Sequence, residues 1–223
     1  MITQVDDYSH SPPALIPRKA GGRHAAQAAV REYAPGVTAG GGTVVLVEGM
    51  SDYAALTALA ARSGRELHDE GVFIVPMGGA TNVGHFLDVL GPRGLDVRLA
   101  GLCDMAEEPG LRRSLRRVGL SPVADRGSLE RAGFFVCVTD LEDELIRSLG
   151  VARTEQAIEA QGELTSFRIL QNQPAQRNRT RDQQLHRFMG SRGGRKIHYA
   201  RVLAEALDLS RMPEPLDRLL TFV

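Results

Sequence analysis

Acidic side chains stand at or just beyond the ends of three apolar segments of this sequence. Glu48, Asp104 and Asp140 each close or follow such a segment, with Asp52 four residues after Glu48 and Glu142 two after Asp140. Carboxylates held about 4 Å apart repel by on the order of 1 kcal/mol per pair even in water, and a divalent cation relieves that repulsion. Oxygen ligands without histidine suit Mg²⁺ or Mn²⁺ better than Zn²⁺. The five carboxylates are therefore predicted to bind Mg²⁺ or Mn²⁺.

Four apolar runs have the length of buried strands and alternate with segments of helical periodicity; they cover residues 43–48, 72–75, 97–102 and 134–138. Strands that are apolar on both faces predict a mostly parallel four-stranded sheet flanked by helices, an α/β fold. Functional groups in such sheets collect where the carboxyl ends of strands meet helix N-termini. The pattern thus places the acidic residues at one edge of the sheet.

Three regions are predicted along the chain. Residues 1–40 form a leader, loose as far as residue 22 because of its prolines and glycines, with a short helix at residues 23–33. Residues 41–150 form the α/β domain. Residues 151–223 show helical periodicity and no convincing strand, and we expect a helical C-terminal appendage.

The overall charge is balanced, with 27 basic and 27 acidic residues, and the sum alone gives no sign of a nucleic-acid partner. Only Lys19 and Lys196 are lysines, and neither lies in a Gly-Lys-Ser/Thr sequence, which excludes a P-loop in this sequence. The apolar runs are far shorter than the roughly 20 residues that span a bilayer. The acidic start, residues 1–7, differs from a signal peptide, so a cytoplasmic location without a membrane partner is expected.

Some acidic and thiol groups have a purely structural interpretation. Asp52 and Asp140 stand where helices are predicted to begin, and carboxylates there commonly cap the helix or interact with its dipole. Glu48 fits that interpretation poorly, since it closes an apolar strand and precedes a glycine. Cys103 and Cys137 lie within apolar strands and are expected to be reduced core residues.

Four segments in order resemble the TOPRIM domain as it occurs in nucleases of the OLD family. Residues 47–56 are similar to its first signature, with a metal-binding glutamate before a glycine and a second acid four residues later. Residues 75–82 resemble its second strand and turn, residues 99–104 its acidic strand end, and residues 140–145 its later acidic motif. The resemblance covers about residues 43–150 and implies a TOPRIM-like sheet with metal bound by Glu48, Asp52, Asp104, Asp140 and Glu142.

The sequence departs from the family at the third strand. TOPRIM domains typically carry Asp-x-Asp there, whereas Ala106 replaces the second aspartate after Asp104. Either Glu107 or Glu108 supplies the missing carboxylate after a loop adjustment, or the site holds only one ion firmly.

Basic residues dominate the C-terminal region. Between residues 164 and 204 there are nine basic side chains and a single acid, Asp182. Such a concentration predicts a phosphate-binding surface; its nucleic-acid contacts are predicted at Arg177, Arg179, Arg181, Arg187, Arg192 and Arg195. A solvated basic helix face is the alternative interpretation.

Lys196 has a separate role by resemblance. OLD-type nucleases place a catalytic lysine in a helical segment after the sheet, which implies catalysis by Lys196 together with Glu48 and Asp104. His85, His186 and His198 have no histidine or cysteine at ligand spacing, and surface or packing roles are expected for them.

The leading hypothesis is a Mg²⁺- or Mn²⁺-dependent endonuclease acting on DNA or RNA, with DNA favoured. The alternative, supported by Ala106, is a non-catalytic TOPRIM-like scaffold that binds nucleic acid or partner proteins in repair or defence. Topoisomerase or primase action is disfavoured because the chain has no room for their additional domains. OLD nucleases commonly carry an ATPase domain, so the expectation is either a stand-alone module or a separate ATPase protein as partner.

Overall fold

The computed structural model describes residues 22–120 and 123–223. Its strands are β1 (Thr43–Val47), β2 (Val72–Pro76), β3 (Arg98–Asp104) and β4 (Phe134–Cys137). Its helices are α1 (Arg23–Tyr33), α2 (Met50–Arg62), α3 (Val83–Leu90), α4 (Glu108–Arg117), α5 (Arg126–Arg131), α6 (Leu141–Leu149), α7 (Val151–Ala160), α8 (Leu164–Gln171), α9 (Arg181–Met189), α10 (Arg195–Ala206) and α11 (Glu214–Phe222). None of these helices combines the length and apolar character that crossing a bilayer requires.

All four strands are parallel and stand in the order β2-β1-β3-β4. The chain leaves β1 toward β2 on one side and later returns to β3 on the other, so the strand order reverses between β1 and β3. Ligands of open parallel sheets bind outside the carboxyl ends of the strands at such a switch point. The predicted α/β sheet is confirmed, and its topology marks the carboxyl ends of β1 and β3.

Alternate residues of each strand enter two separate cores. In β1, Val45 and Val47 face α2 and the helices from α6 onward, whereas Val44 and Leu46 face α1, α3, α4 and α5. This period of two, with every β1 residue buried, is what a sheet covered on both faces requires.

The C-terminal helices complete one face of the sheet. Tyr199 and Leu203 of α10 are fully buried in the same cluster as Leu56 and Leu59 of α2, and the Arg62 guanidinium donates to the Ala204 carbonyl at 2.8 Å. On the opposite face, α1 adds Ala26 and Val30 to the other core. The helical character predicted for residues 151–223 is present; the domain boundaries at residues 40 and 150 stay predictions.

Most predicted elements lie within a few residues of their observed positions. The short polar helix α5 was not predicted; its start is capped by Asp125, which accepts from the Ser128 N–H at 2.7 Å. Strand β4 ends one residue early because Glu144 binds the Val138 N–H at 2.7 Å. The prediction of a loose leader falls almost wholly on residues 1–21, outside the described residues.

Candidate metal and catalytic site

The two central strands deliver Glu48 and Asp104 to the switch point. Glu48 directly follows β1 and Asp104 is the last residue of β3. The turn after β2 supports this edge: the Gly79 N–H donates to the Glu48 carbonyl at 3.0 Å, and Gly78 and Gly79 adopt positive φ angles of 70° and 132°. Because side chains rarely tolerate that conformation, the two glycines allow the turn to reach back and fix the backbone at Glu48.

Asp52 occupies the first turn of α2 and is buried, with 8% of its surface exposed. Its Oδ2 accepts a hydrogen bond from the Gly49 N–H at 2.8 Å, so the predicted helix-start role is real. Burial, opposed by that hydrogen bond, raises the pKa of Asp52 to about 7, and the nearby Glu142 adds to the rise. The side chain therefore caps the helix and also faces the other carboxylates.

The pKa of Asp104 is raised as far as that of Asp52. Burial, together with the charges of Glu48, Asp52 and Asp140, raises its pKa to about 7. A carboxyl group whose pKa is raised by neighbouring carboxylates lies in a local excess of negative charge, which a bound cation would relieve. The structure thus brings together the acids that the sequence places on β1, β3 and the starts of α2 and α6.

Asp140 caps α6 and carries a second contact. Its Oδ1 accepts from the Asp143 N–H at 2.9 Å, and its Oδ2 lies 2.6 Å from Nε2 of His186 on α9. Burial alone would raise the pKa of Asp140, but the hydrogen bonds from His186 and Asp143 hold it below its ordinary value. The same contact raises the pKa of His186.

Glu142 is the most buried acid of the site, with 3% exposure, and burial raises its pKa. Its Oε2 lies 3.0 Å from Lys196 Nζ, whereas Oε1 has no hydrogen-bond partner among the residues that the structure describes. A buried side-chain oxygen normally has at least one hydrogen-bond partner. The unpartnered Oε1 fits a divalent cation as an additional partner.

Lys196 stands in the first turn of α10, which begins after a glycine in the left-handed conformation, Gly194. Burial would lower the pKa of Lys196, but the charges of Glu142, Asp52 and Asp140 outweigh it and raise the pKa, so the ammonium stays charged. Lys196, for which the family resemblance implies a catalytic role, therefore lies among the predicted metal ligands.

His186 is the site residue that sequence reasoning missed. A surface or packing role was expected for it; the imidazole is partly exposed, but it also contacts Asp140 and shares a cluster with Asp140 and Glu142, which the sequence did not predict. No local signal marks it, because 46 residues separate it from its partner. His198, by contrast, is exposed and lies 3.1 Å from Gln161 Oε1, as a surface residue would.

The structure distinguishes the two proposed substitutes for the missing aspartate. Ala106 is exposed in a short turn after β3. Glu108 is bound by Arg112 and by Arg126, the latter at 3.1 Å, so its carboxylate is already neutralised and is not a free ligand. Glu107 lines a cavity of about 340 Å³ next to α3 and α4.

The basic C-terminal side chains divide into free and paired groups. The exposed residues that form no ion pair with any described residue are Arg177, Arg179, Arg187 and Arg192. Arg181 is exposed but pairs with Glu155 at 3.1 Å. Arg195 differs from its predicted role: it is buried, binds Glu163 at 2.5 Å and stacks 4.1 Å from the Phe188 ring centre. Its guanidinium therefore holds α10 in place and is not offered to a ligand.

Both cysteines are reduced and buried, as expected from their apolar surroundings. Burial raises the pKa of Cys103 to about 12 and raises that of Cys137 further still. A thiol with so high a pKa is a poor ligand and a poor nucleophile at neutral pH. The site is accordingly built from oxygen and nitrogen groups.

Comparison with known protein families gives a match over the first three strands. Residues 42–105 match the family described as "Overcoming lysogenization defect protein-like, TOPRIM domain", a segment that contains Glu48, Asp52 and Asp104. None of the curated proteins compared matches the chain.

Solved structures extend the likeness beyond that segment. The C-terminal region of the Burkholderia pseudomallei OLD protein is similar with a TM-score of 0.61 and 20% identity, over 81% of this chain and 95% of that one. The C-terminal region of the Xanthomonas campestris pv. campestris OLD protein gives 0.59 and 25%, over 80% and 92%. Residues 42–105 are therefore similar to the OLD-like TOPRIM domain, and the chain shares the fold of the C-terminal regions of these OLD proteins.

Proposed function

We propose that this protein is a Mg²⁺- or Mn²⁺-dependent nuclease that hydrolyses phosphodiester bonds, with DNA as the favoured substrate. One observation carries the proposal: at the switch point of a parallel sheet, Glu48, Asp52, Asp104 and Glu142 lie near enough to one another and to Lys196 for their charges to interact. The Glu142 Oε1, which has no hydrogen-bond partner among the described residues, and the raised pKa values of Asp52 and Asp104 support cation binding there.

The residues have distinct proposed roles. Glu48, Asp52, Asp104, Asp140 and Glu142 would hold the cations, which when bound supply an activated water and neutralise charge on phosphate oxygens. Lys196 brings a permanent positive charge to the same place and would stabilise negative charge developing on the scissile phosphate. Catalysis is assigned to Glu48, Asp104 and Lys196.

The unpaired arginines would hold the nucleic-acid backbone. Arg177, Arg179, Arg187 and Arg192 lie on α9 or on the segments before and after it; they are exposed and form no ion pair within residues 22–120 and 123–223. Arginine recognises phosphate through its planar set of donors. Arg181 would contribute less, because Glu155 shares its charge. Nothing in the described residues supports an ATPase partner, and the proposal does not require one.

The test is cleavage of supercoiled plasmid with Mg²⁺ and with Mn²⁺. Wild-type protein should nick the plasmid, and Glu48→Ala should reduce the rate by at least about a hundredfold, since it removes a ligand from the centre of the site. Glu66→Ala is the matched control, because this glutamate is exposed on the segment before β2. Melting curves would confirm that both variants fold.

A non-catalytic nucleic-acid-binding scaffold is the second candidate, favoured by the exposed Ala106 in the place of the usual second aspartate. That function predicts no cleavage with either metal but retained DNA binding that weakens with salt. Such a result would replace the nuclease proposal.

A further inference from the structure

His186 is held toward the carboxylates by a rigid helix. Its neighbours on α9, Leu185 and Met189, are fully buried, and the buried Gln184 side chain donates to the Gln176 carbonyl at 2.8 Å. Helix α9 also packs against α6, which begins at the metal-site residues. The imidazole therefore reaches the site from a fixed scaffold rather than from a loop.

The ligand atoms of His186, Asp140 and Glu142 all lie within 4.8 Å of one another. Two ligands bound to one cation at about 2.1 Å can be at most about 4.2 Å apart, so the three groups need to close by only roughly half an ångström. His186 Nε2 and Asp140 Oδ2 stand 2.6 Å apart, against about 3.0 Å for neighbouring ligands in an octahedral shell. The side chains are close to the arrangement that a shared ion would impose.

Glu142 provides independent support for a ligand at this point. It is almost completely buried, its Oε2 pairs with Lys196 at 3.0 Å, and its Oε1 has no hydrogen-bond partner in the described part of the chain. Asp140 is also oriented, because the Asp143 N–H holds its Oδ1 and leaves Oδ2 facing the cluster. Two acids are thus aimed at the place that the imidazole reaches.

We propose that His186 is a nitrogen ligand to the ion held by Asp140 and Glu142, and that it makes this part of the site prefer Mn²⁺ over Mg²⁺. The inference rests on the proposed metal-dependent function and goes beyond its all-oxygen ligand set. Mg²⁺ binds hard oxygen ligands and keeps its waters, whereas imidazole favours the transition metals. Asp140 and Glu142 bind either ion, and His186 sets the difference between them.

The experiment measures Mn²⁺ and Mg²⁺ binding by calorimetry and the Mn²⁺ environment by pulsed electron paramagnetic resonance, in wild type, His186→Gln and His198→Gln. Glutamine at residue 186 can still donate a hydrogen bond to Asp140 but lacks an imidazole nitrogen. His198→Gln is the control, because His198 is exposed and its partner is Gln161.

We expect a ¹⁴N coupling from a bound imidazole in wild type and His198→Gln, and its loss in His186→Gln. The Mn²⁺ affinity should fall at least about tenfold in His186→Gln, while the Mg²⁺ affinity changes by less than about threefold. Absence of ¹⁴N coupling in Mn²⁺-loaded wild type, or an equal loss of both affinities, would overturn the inference and leave His186 as a group that only orients Asp140.

The two proposals fail in different ways. If wild type binds Mn²⁺ and cleaves DNA without ¹⁴N coupling, only the role of His186 is wrong. If wild type binds neither metal, both the role of His186 and the proposed metal-dependent nuclease function are wrong.

Discussion

The two charged regions of this molecule, the acidic edge of the sheet and the arginine-rich C-terminal helices, use their charges in opposite ways. The acids at the edge are buried or half-buried and face one another, with Lys196 and His186 as cationic or protonatable partners. Many of the basic side chains beyond them are already neutralised by acids elsewhere in the chain. Like charges therefore lie close together at the acidic edge, whereas many of the basic charges in the C-terminal helices are neutralised by ion pairs.

The difference shows why a local charge count is a poor guide to a binding surface. Between residues 164 and 204 the sequence has nine bases and one acid, yet acids outside that window bind five of the nine. Glu155 binds both Arg168 and Arg181, and the other pairs are Glu163 with Arg195, Glu142 with Lys196 and Glu205 with Arg201. The four arginines that form no ion pair with the described residues remain for a phosphate backbone.

The largest expected effect separates catalysis from binding. Lys196→Ala should reduce the cleavage rate by about a hundredfold or more, because it removes a preorganised charge from the reacting phosphate. DNA affinity should change by less than about threefold. Mn²⁺ affinity should stay the same or increase, because the variant removes the ammonium group that competes with the ion for Glu142. Single-turnover kinetics measure the cleavage rate, and fluorescence anisotropy measures the DNA affinity. An equal loss of cleavage and binding would make Lys196 merely one phosphate contact.

The next effect tests the division of the arginines into structural and free groups. Arg195→Ala should lower the free energy of unfolding by about 2–3 kcal/mol, since it removes the Glu163 ion pair and the stacking on Phe188. The exposed neighbour Arg192→Ala should change it by less than about 0.5 kcal/mol. Urea unfolding monitored by circular dichroism compares them. Similar values for both would mean that the buried pair does not hold α10.

A smaller effect depends on pH and on the acidic edge. Because the pKa of Asp52 is raised to about 7, the stability it contributes is present at acidic pH and is lost as pH rises through 7. Asp52→Asn, which mimics the neutral acid, should therefore gain stability relative to wild type by on the order of 2 kcal/mol between pH 5 and pH 8 without metal. Urea unfolding in chelator at both pH values measures this. A pH-independent difference would show that Asp52 is not held neutral.

The smallest effect lies on the exposed arginines. Replacing Arg187 and Arg192 together by alanine should weaken DNA binding several-fold and reduce the slope of log affinity against log salt by about one per lost phosphate contact. Arg181→Ala should do less, since Glu155 already shares its charge. Anisotropy titrations at several salt concentrations provide the comparison. Equal effects at paired and unpaired arginines would remove the distinction between them.

The sequence predicted the acidic edge better than the basic helices, for a physical reason. Glu48 and Asp104 end apolar strands, and parallel strands must bring their carboxyl ends to one side of the sheet, so position alone determines their neighbours. Asp140 follows the same rule one strand further along.

The contacts of His186 and Arg195 could not be predicted from their positions in the sequence. Helical periodicity shows which face of a helix is apolar but not which other helix it meets, so neither the contact of His186 with Asp140 nor the burial of Arg195 against Phe188 has a local signal. The loss of Glu108 as a substitute ligand likewise depends on Arg126, 18 residues away in sequence. Such pairings are decided by the tertiary fold.

Thermal melting with and without divalent cations tests the central claim most directly. At a concentration of Mn²⁺ or Mg²⁺ about a hundred times the dissociation constant, binding to the folded state alone should stabilise wild type by about 2.7 kcal/mol. For a chain of this size the midpoint should rise by on the order of 5–10 °C. Asp104→Asn should show a much smaller rise. Midpoints that do not move with either cation would contradict a metal site at the carboxyl ends of β1 and β3.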